Sequence, residues 1–130
     1  MSAKLRSVRM DHSGGSINIV QITDCHLGEN EGDDLLGMDT DHSLQQVLEL
    51  IRQEQGVPEL LLATGDISNH GHLDAYRRFR QLTSGLAEHS LWLPGNHDNS
   101  SLMREAVADG PELSSSVDIG SWRIIMLDST

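Results

Sequence analysis

The stretch ELLLATGD at residues 59–66 is a short apolar run that ends in a glycine and an aspartate. A run of this length with turn residues behind it is typical of a buried strand, which we place at residues 59–63. Asp66 then lies just past the carboxyl end of that strand. Ligands bind at this edge of an open parallel sheet, but a glycine and an aspartate after one strand also form an ordinary turn, so this stretch alone predicts only the buried strand.

Strands and helices alternate on both sides of this run. The helix before it has apolar residues at i, i+3, i+4 and i+7, which form one stripe: Leu44, Val47, Leu48 and Ile51. The other predicted elements are a strand at 17–22, helices at 42–55 and 73–82, a strand at 90–93, a helix at 101–108, and a hairpin with strands at 115–119 and 122–127 around a type II′ turn. The order β-α-β-α-β-α-β-β predicts an α/β fold of packed layers with a largely parallel sheet.

Several polar segments are expected to face solvent. Residues 24–41 contain seven acidic residues and neither Lys nor Arg, so we expect most of them to form a long solvated loop. Asp41 or Ser43 is expected to cap the next helix, because a short side-chain oxygen accepts a hydrogen bond from a free first-turn N–H. In the helix at 73–82, the side chains expected to face the core are Leu73, Tyr76, Phe79 and Leu82. Those expected to face solvent are Arg77, Arg78 and Arg80.

The charge balance excludes two classes of partner. The 130 residues include 9 Lys and Arg against 20 Asp and Glu, which is a formal net charge of −11 with the 7 His neutral. Duplex nucleic acids and anionic membranes are bound through Lys and Arg, so neither is an expected partner. No apolar run approaches the roughly 20 residues of a membrane-spanning helix.

The length and the single cysteine bear on organisation and location. We expect one domain at residues 17–130, preceded by a flexible leader at residues 1–16 that includes a short strand near residues 5–10. No apolar stretch follows the basic residues of the leader, so we expect no signal peptide. Cys25 excludes an intrachain disulfide and fits a reducing compartment, so we expect a cytoplasmic protein.

Three polar clusters follow three predicted strands: Asp24 and His26, then Asp66, then Asn96, His97 and Asp98. Each cluster alone is common in turns and helix caps, but parallel strands share one carboxyl edge, so together the clusters are expected to converge. The i, i+2 spacing of Asp24 and His26 would place both side chains on one side of an extended segment. A glycine before Asp66 and another before Asn96 permit close approach of the backbone. Carboxylate, imidazole and amide ligands suit Mn, Fe or Zn better than Ca²⁺.

The same clusters carry a family resemblance. Asp24-x-His26, Gly65-Asp66-x-x-Asn69 and Gly95-Asn96-His97-Asp98 resemble, in this order, the first three motif blocks of the calcineurin-like metallophosphoesterase superfamily. The surrounding residues are most similar to bacterial class III cyclic-nucleotide phosphodiesterases. The resemblance implies a layered metallophosphoesterase-type α/β sandwich. Two later histidine blocks of the family are not matched, so we expect residues 17–130 to be its N-terminal portion, a βαβαβ half plus a hairpin.

The resemblance also implies a metal centre. Members hold two divalent ions, Mn or Fe foremost and Zn as an alternative. By position, Asp66 would bridge the two ions, Asp24 and His26 would bind the first, and Asn96 would bind the second. Cys25 is expected to be a packed thiol between two ligands.

A reaction follows from the resemblance as well. In the family a hydroxide that bridges the metals attacks phosphorus, and the implied substrate is a small phosphodiester, 3′,5′-cyclic AMP in particular. His97 would contact the phosphoryl oxygen or protonate the leaving oxygen, and Asn96 would also face the substrate. Asp98 would orient His97, and Asn69 would buttress the site.

Other interpretations of these residues stay open. The blocks are shared with phosphatases, nucleotide-sugar lipid hydrolases and nucleases of the superfamily, although a nuclease would show a basic groove. Without the later histidines the chain could be a catalytically incomplete fragment, and the blocks could also be only turns and caps of a binding module. His70 and His72 are expected at the surface rather than as replacement ligands. The strands at 17–22, 59–63 and 122–127 would lack partners, so self-association of this chain is expected.

Overall fold

A computed structural model describes residues 7–10 and 15–130. Its strands and helices are, in chain order, β1 (Ser7–Met10), β2 (Ile19–Ile22), β3 (Asp34–Leu35), β4 (Met38–Asp39), α1 (Thr40–Gln55), β5 (Leu60–Thr64), α2 (Leu73–Leu82), β6 (His89–Leu93), α3 (Ser100–Val107), β7 (Ser116–Ile119) and β8 (Trp122–Ile125), with a short 3₁₀ helix at Pro111–Leu113. The predicted α/β fold is confirmed. Each helix and each main strand predicted from the sequence is present, with ends that differ by at most about two residues.

Two three-stranded sheets organise the molecule, where the pattern alone predicts one largely parallel sheet. In the first, β5 lies between β2 and β6 and all three strands are parallel, so their carboxyl ends lie at one edge. In the second, β7 pairs with β1 in parallel and with β8 in antiparallel orientation. Gly120, in the β7–β8 turn, has a φ of 58°, as the first central position of a type II′ turn requires.

The parallel sheet lies between the helices and the second sheet. Leu61 of β5 and Phe79 of α2 belong to the larger core, which joins the sheet to the helices. Leu60 of β5 and Val117 of β7 belong to a smaller core between the two sheets. Successive residues of a strand point to opposite faces, so Leu60 and Leu61 connect β5 to both layers. No helix in the described part of the chain is long and apolar enough to cross a membrane.

The acidic segment at 24–41 is more ordered than the predicted loop. β3 and β4 form a two-stranded hairpin within it. Asp39 caps α1 by accepting a hydrogen bond from the N–H of His42 at 3.0 Å. The prediction that Asp41 or Ser43 caps this helix is wrong, because the helix begins at Thr40, before the first residue of its apolar stripe.

Arg78 and Asp41 form a buried ion pair that the sequence pattern does not predict. Only 14% of the Arg78 side chain and 3% of the Asp41 side chain are exposed, so the outward position predicted for Arg78 is wrong. Nε and Nη2 of Arg78 donate to the two carboxylate oxygens, and Nη2 also donates to the carbonyl of Gly28 at 2.8 Å. Asp41 Oδ2 accepts from the N–H of Gly32 at 3.1 Å. The pair therefore fastens the loop after His26 to α2.

The edges of the two sheets bear on the predicted leader and on self-association. β1 pairs with β7 along its length, so residues 7–10 of the predicted leader belong to the second sheet, and a short strand near residues 5–10 is confirmed. Residues 1–6 and 11–14 lie outside the described residues.

β5 is paired on both sides, contrary to the expectation that it lacks a partner, whereas β2 and β8 are edge strands. Self-association through such edges stays a prediction.

Candidate metal centre

The loops that follow β2, β5 and β6 are joined by hydrogen bonds. The N–H of Asp24 donates to the carbonyl of Gly65 at 3.0 Å. The N–H of His26 donates to the carbonyl of Asp66 at 2.8 Å. The N–H of His97 donates to Asp66 Oδ1 at 3.0 Å. The predicted convergence of the three polar clusters is therefore confirmed.

Two glycines permit this close approach. Gly65 has a φ of 106°, which favours glycine, and a Cβ there would lie 3.2 Å from the Cα of Gly95. A Cβ on Gly95 would overlap both the main-chain nitrogen and the carboxylate of Asp66. A side chain at Gly95 would thus displace Asp66 or its loop.

Asp24, His26 and Asp66 form a compact donor set. One possible ligand atom of each lies within 4.8 Å of the others. His26 Nε2 is 3.7 Å from Asp24 Oδ1 and 3.7 Å from Asp66 Oδ2. His26 Nδ1 lies 3.0 Å from Asn69 Oδ1, a contact that orients the ring and leaves Nε2 facing the carboxylates. Two carboxylates and one imidazole in this arrangement fit a divalent transition-metal ion.

The backbone of the donor set is left-handed. The φ angle is 60° at Asp24, 48° at His26 and 50° at Asp66, a region that few non-glycine residues adopt, although Asp and His adopt it more often than most. The prediction that an extended segment aligns Asp24 with His26 is therefore wrong, although their side chains do meet. Strained residues concentrate at functional sites, so the backbone supports a site here independently of the side chains.

Asn96 reaches the donor set from the third loop. With its NH₂ group turned towards Asp66, it donates to both carboxylate oxygens at 3.3 Å. With the amide reversed, its carbonyl oxygen faces the same carboxylate, an arrangement that a cation between the oxygens would stabilise. Asn96 can therefore serve either as a donor to Asp66 or as a further oxygen ligand beside it.

The ring of His97 is held by Asn69 and not by Asp98. His97 Nδ1 lies 2.8 Å from the main-chain oxygen of Asn69. A carbonyl oxygen only accepts, so Nδ1 carries a proton and Nε2 is the acceptor of the neutral ring. The ring also meets the His26 ring edge to face, with centroids 5.1 Å apart. The hydrogen bond that orients the ring therefore comes from Asn69, and the predicted role of Asp98 in orienting His97 is not carried by a bond to the ring nitrogen Nδ1.

Asp98 instead connects the loops to each other and to α2. Its carboxylate accepts from the N–H of Gly95 at 2.7 Å, of Ser68 at 3.0 Å and of Ile67 at 3.3 Å. It also accepts from the hydroxyl of Tyr76 at 2.8 Å. Asp98 therefore acts through loop structure, because both its oxygens are engaged by donors other than the His97 ring.

Tyr76 belongs to this centre, although its sequence position indicates only an inward-facing core residue. Its hydroxyl donates to Asp98 and accepts from the N–H of Asn99 at 2.8 Å. Burial raises the pKa of Tyr76 far above its usual value, and the bond to Asp98 adds to the effect, so the phenol remains a donor. A buried tyrosine needs a partner for its hydroxyl, and this is the signal that could have identified it.

Tyr76→Phe is expected to lower the free energy of unfolding by about 1–2 kcal/mol, because Asp98 and the N–H of Asn99 each lose a partner. Urea denaturation followed by circular dichroism measures the change. Thr83→Val is a matched control, since it removes a buried hydroxyl that, within the described residues, bonds the main-chain carbonyls of Phe79 and Arg80; a loss below about 1 kcal/mol is expected there. Equal losses in both variants would contradict a special role for the Tyr76 hydroxyl.

Three further residues behave as the sequence predicts or nearly so. Cys25 packs against the larger core, and burial, followed by the charges of Asp24 and Asp98, raises the pKa of its thiol to about 12. The thiol is therefore protonated at neutral pH, as expected for a packed cysteine. His70 is exposed and His72 is half-buried at the start of α2, and neither belongs to the donor set.

A layered α/β fold with carboxylates, imidazoles and an amide gathered at the ends of its parallel strands is the arrangement of a metal-dependent phosphoesterase. The chain belongs to the calcineurin-like phosphoesterase family, whose family model matches residues 17–124. The match includes all three loops of the centre.

Curated relatives agree with this assignment. The 3′,5′-cyclic adenosine monophosphate phosphodiesterase CpdA of Pseudomonas aeruginosa is 46% identical over 115 residues, which cover 88% of this chain and 42% of the relative. CpdA of Escherichia coli K12 is 40% identical over 115 residues, covering 87% and 42%. A 3′,5′-cyclic-nucleotide phosphodiesterase of Nostoc is 34% identical over 115 residues, covering 88% and 43%. The chain thus spans less than half the length of these relatives.

Proposed function

We propose that the protein carrying this chain is a metal-dependent phosphodiester hydrolase that acts on 3′,5′-cyclic nucleotides, cyclic AMP foremost. The observation that carries the proposal is the donor set of Asp24, His26 and Asp66 at one edge of the parallel sheet, with His97 beside it. The three relatives, each named as a cyclic-nucleotide phosphodiesterase, support the choice of substrate class.

Four side chains would hold the cations. Asp24 and His26 would bind one divalent ion and Asn96 a second, while Asp66 would reach both because a carboxylate has two oxygens. The donor set suits Mn or Fe, with Zn as an alternative. When bound, a pair of such ions lowers the pKa of water and stabilises charge on phosphoryl oxygens.

His97 would act on the substrate. It is exposed, and its ring is oriented by the main-chain oxygen of Asn69. A doubly protonated ring held in this orientation can donate from Nε2 to a phosphoryl oxygen or pass that proton to the leaving alkoxide. Asn96 is also exposed and would contact the phosphate from the same loop. Asp98 would fix the loop that carries both residues.

The charge of the chain is compatible with a small anionic substrate. A net charge of −11 repels phosphate, but two divalent ions reverse the sign of the local field. A cyclic nucleotide needs only this local field, whereas a duplex needs a broad basic surface. The cytoplasmic location expected from composition stays a prediction.

Asp66→Asn tests the metal centre. The variant is expected to bind Mn²⁺ between ten and a hundred times more weakly, because the amide keeps one oxygen but loses the negative charge. Removing a residue that only hydrogen-bonds to a metal ligand already weakens metal binding by about this factor. Isothermal titration calorimetry on the 130-residue chain measures the affinity. Asp74→Asn is the matched control, since Asp74 is exposed on α2. No binding of Mn²⁺, Fe²⁺ or Zn²⁺ by the unaltered chain would contradict the centre.

Hydrolysis is tested in a chimaera that continues the chain with the remaining C-terminal portion of the Pseudomonas aeruginosa relative. The Mn²⁺-loaded chimaera is expected to hydrolyse cyclic AMP and to lose this activity with Asp66→Asn but not with Asp74→Asn. A folded, metal-bound chimaera that hydrolyses bis(p-nitrophenyl) phosphate but not cyclic AMP would restrict the function to another branch of the family.

A further inference from the structure

A groove of about 510 Å³ opens beside the candidate metal centre. Asp24 and His26 form part of its wall, and the β3–β4 hairpin contributes Leu35, Leu36 and Met38. Because the groove shares these two residues with the donor set, it directly adjoins the candidate metal centre. Its volume lies within the range of roughly 300–1,000 Å³ that is usual for small-molecule sites.

The groove differs in chemistry from the rest of this acidic chain. Its hydrophobic lining residues are Ile22, Cys25, Leu35, Leu36, Met38, Leu44 and Val47. Apart from Asp24 and His26, the described residues that line it carry no charge, and Gln21, Thr23 and Ser43 supply neutral polar groups. This combination suits an uncharged group with apolar faces and a hydrogen-bonding edge.

Leu36 is held in the groove wall at an energetic cost. Leu36 and Gly37 form the turn of the hairpin with φ angles of 51° and 85°. A turn with two positive φ angles favours Asn, Asp or Gly at its first position, and a leucine there is strained. Leu36 is also 99% exposed. A flat apolar ligand in the groove would cover this side chain and offset its exposure.

We propose that the groove binds the nucleobase of the substrate, with Leu36 and Met38 against the face of the base while the phosphate lies at the donor set. This inference rests on the proposed function and assigns the groove wall formed by the β3–β4 hairpin to recognition of the base. A purine has two flat apolar faces and a polar edge, which match the apolar hairpin and the neutral polar groups. Leu36 is then a specificity-determining residue.

The test compares two ligands that differ only in the base. AMP and ribose 5-phosphate are titrated into the Mn²⁺-loaded chain by calorimetry, and neither contains a diester that could be hydrolysed. AMP is expected to bind at least about ten times more tightly. Leu36→Asn, which suits the turn, is expected to reduce this ratio to near one and to leave Mn²⁺ affinity unchanged. Leu50→Asn is the matched control, since Leu50 is 52% exposed on α1 and does not line the groove.

Each other outcome overturns the inference in a recognisable way. Equal affinity for the two ligands, with cyclic AMP still hydrolysed by the chimaera, rejects the base site and leaves the proposed function standing. If the 130-residue chain prefers AMP but the chimaera does not, the added C-terminal portion of the polypeptide occupies the groove in place of the base. Absence of binding by either ligand, together with absence of hydrolysis, rejects the proposed function and the groove with it.

Discussion

Arg78→Met is expected to lower the free energy of unfolding by about 3–5 kcal/mol, because it leaves the buried carboxylate of Asp41 without its cation. The replacement retains an unbranched apolar stem, so the loss of packing is small. The loop carbonyl of Gly28 loses a donor at the same time. Urea denaturation followed by circular dichroism measures the change.

Two further variants make this prediction specific. Arg77→Met alters the neighbouring arginine, which is 57% exposed and 3.7 Å from the exposed Asp74, so a loss below about 1 kcal/mol is expected. Combining Arg78→Met with Asp41→Leu removes both charges, and most of the lost stability is expected to return. A double variant as unstable as the single one would show that packing, rather than the stranded carboxylate, explains the loss.

Gly95→Ala is expected to weaken Mn²⁺ binding by roughly ten- to a hundredfold and to lower the free energy of unfolding by about 3 kcal/mol. The added Cβ would overlap the main-chain nitrogen and the carboxylate of Asp66. The Asp66 carboxylate would therefore move away from the His26 ring. The same shift would carry Asn96 out of contact. Calorimetric titration with Mn²⁺ and urea denaturation measure the two effects.

Gly85→Ala separates steric overlap from backbone conformation. Gly85 has a φ of 76°, and a Cβ added there would meet no atom of the described residues within 4 Å beyond its chain neighbours, so alanine is opposed by conformation alone. A loss of about 1–2 kcal/mol with unchanged Mn²⁺ affinity is expected. If Gly95→Ala resembles this control, the close approach of the two loops is not what assembles the donor set.

Local patterns account for the part of the fold that could be predicted. The stripe of α1, the apolar run of β5 and the Gly120 turn are each decided by neighbouring residues, and each is found in the structure. The pairing of β1 with β7 depends on contacts between the two ends of the chain, which no local pattern encodes. The β3–β4 hairpin escapes prediction because its strands have two residues each and its turn begins with leucine.

The candidate site shows the same division. The residue types and the strand ends were sufficient to predict that Asp24, His26, Asp66 and Asn96 meet. Their contacts were not predictable, because a motif specifies which side chain is present and not where it points. Asp98 illustrates this: it follows His97 directly, yet its carboxylate bonds main-chain donors and Tyr76.

The pairing of β1 with β7 affects the order in which the two sheets can form during synthesis. Ser7 and its partner Ser116 are about 110 residues apart, so closing this connection carries a large entropic cost. Ribosomes add roughly 5–20 residues per second, so β1 is translated several seconds before the strand it joins. The strands of the parallel sheet are complete by Leu93, and that sheet can assemble first. In the nascent chain β1 is then an unpaired segment, accessible to chaperones and proteases until β7 is made.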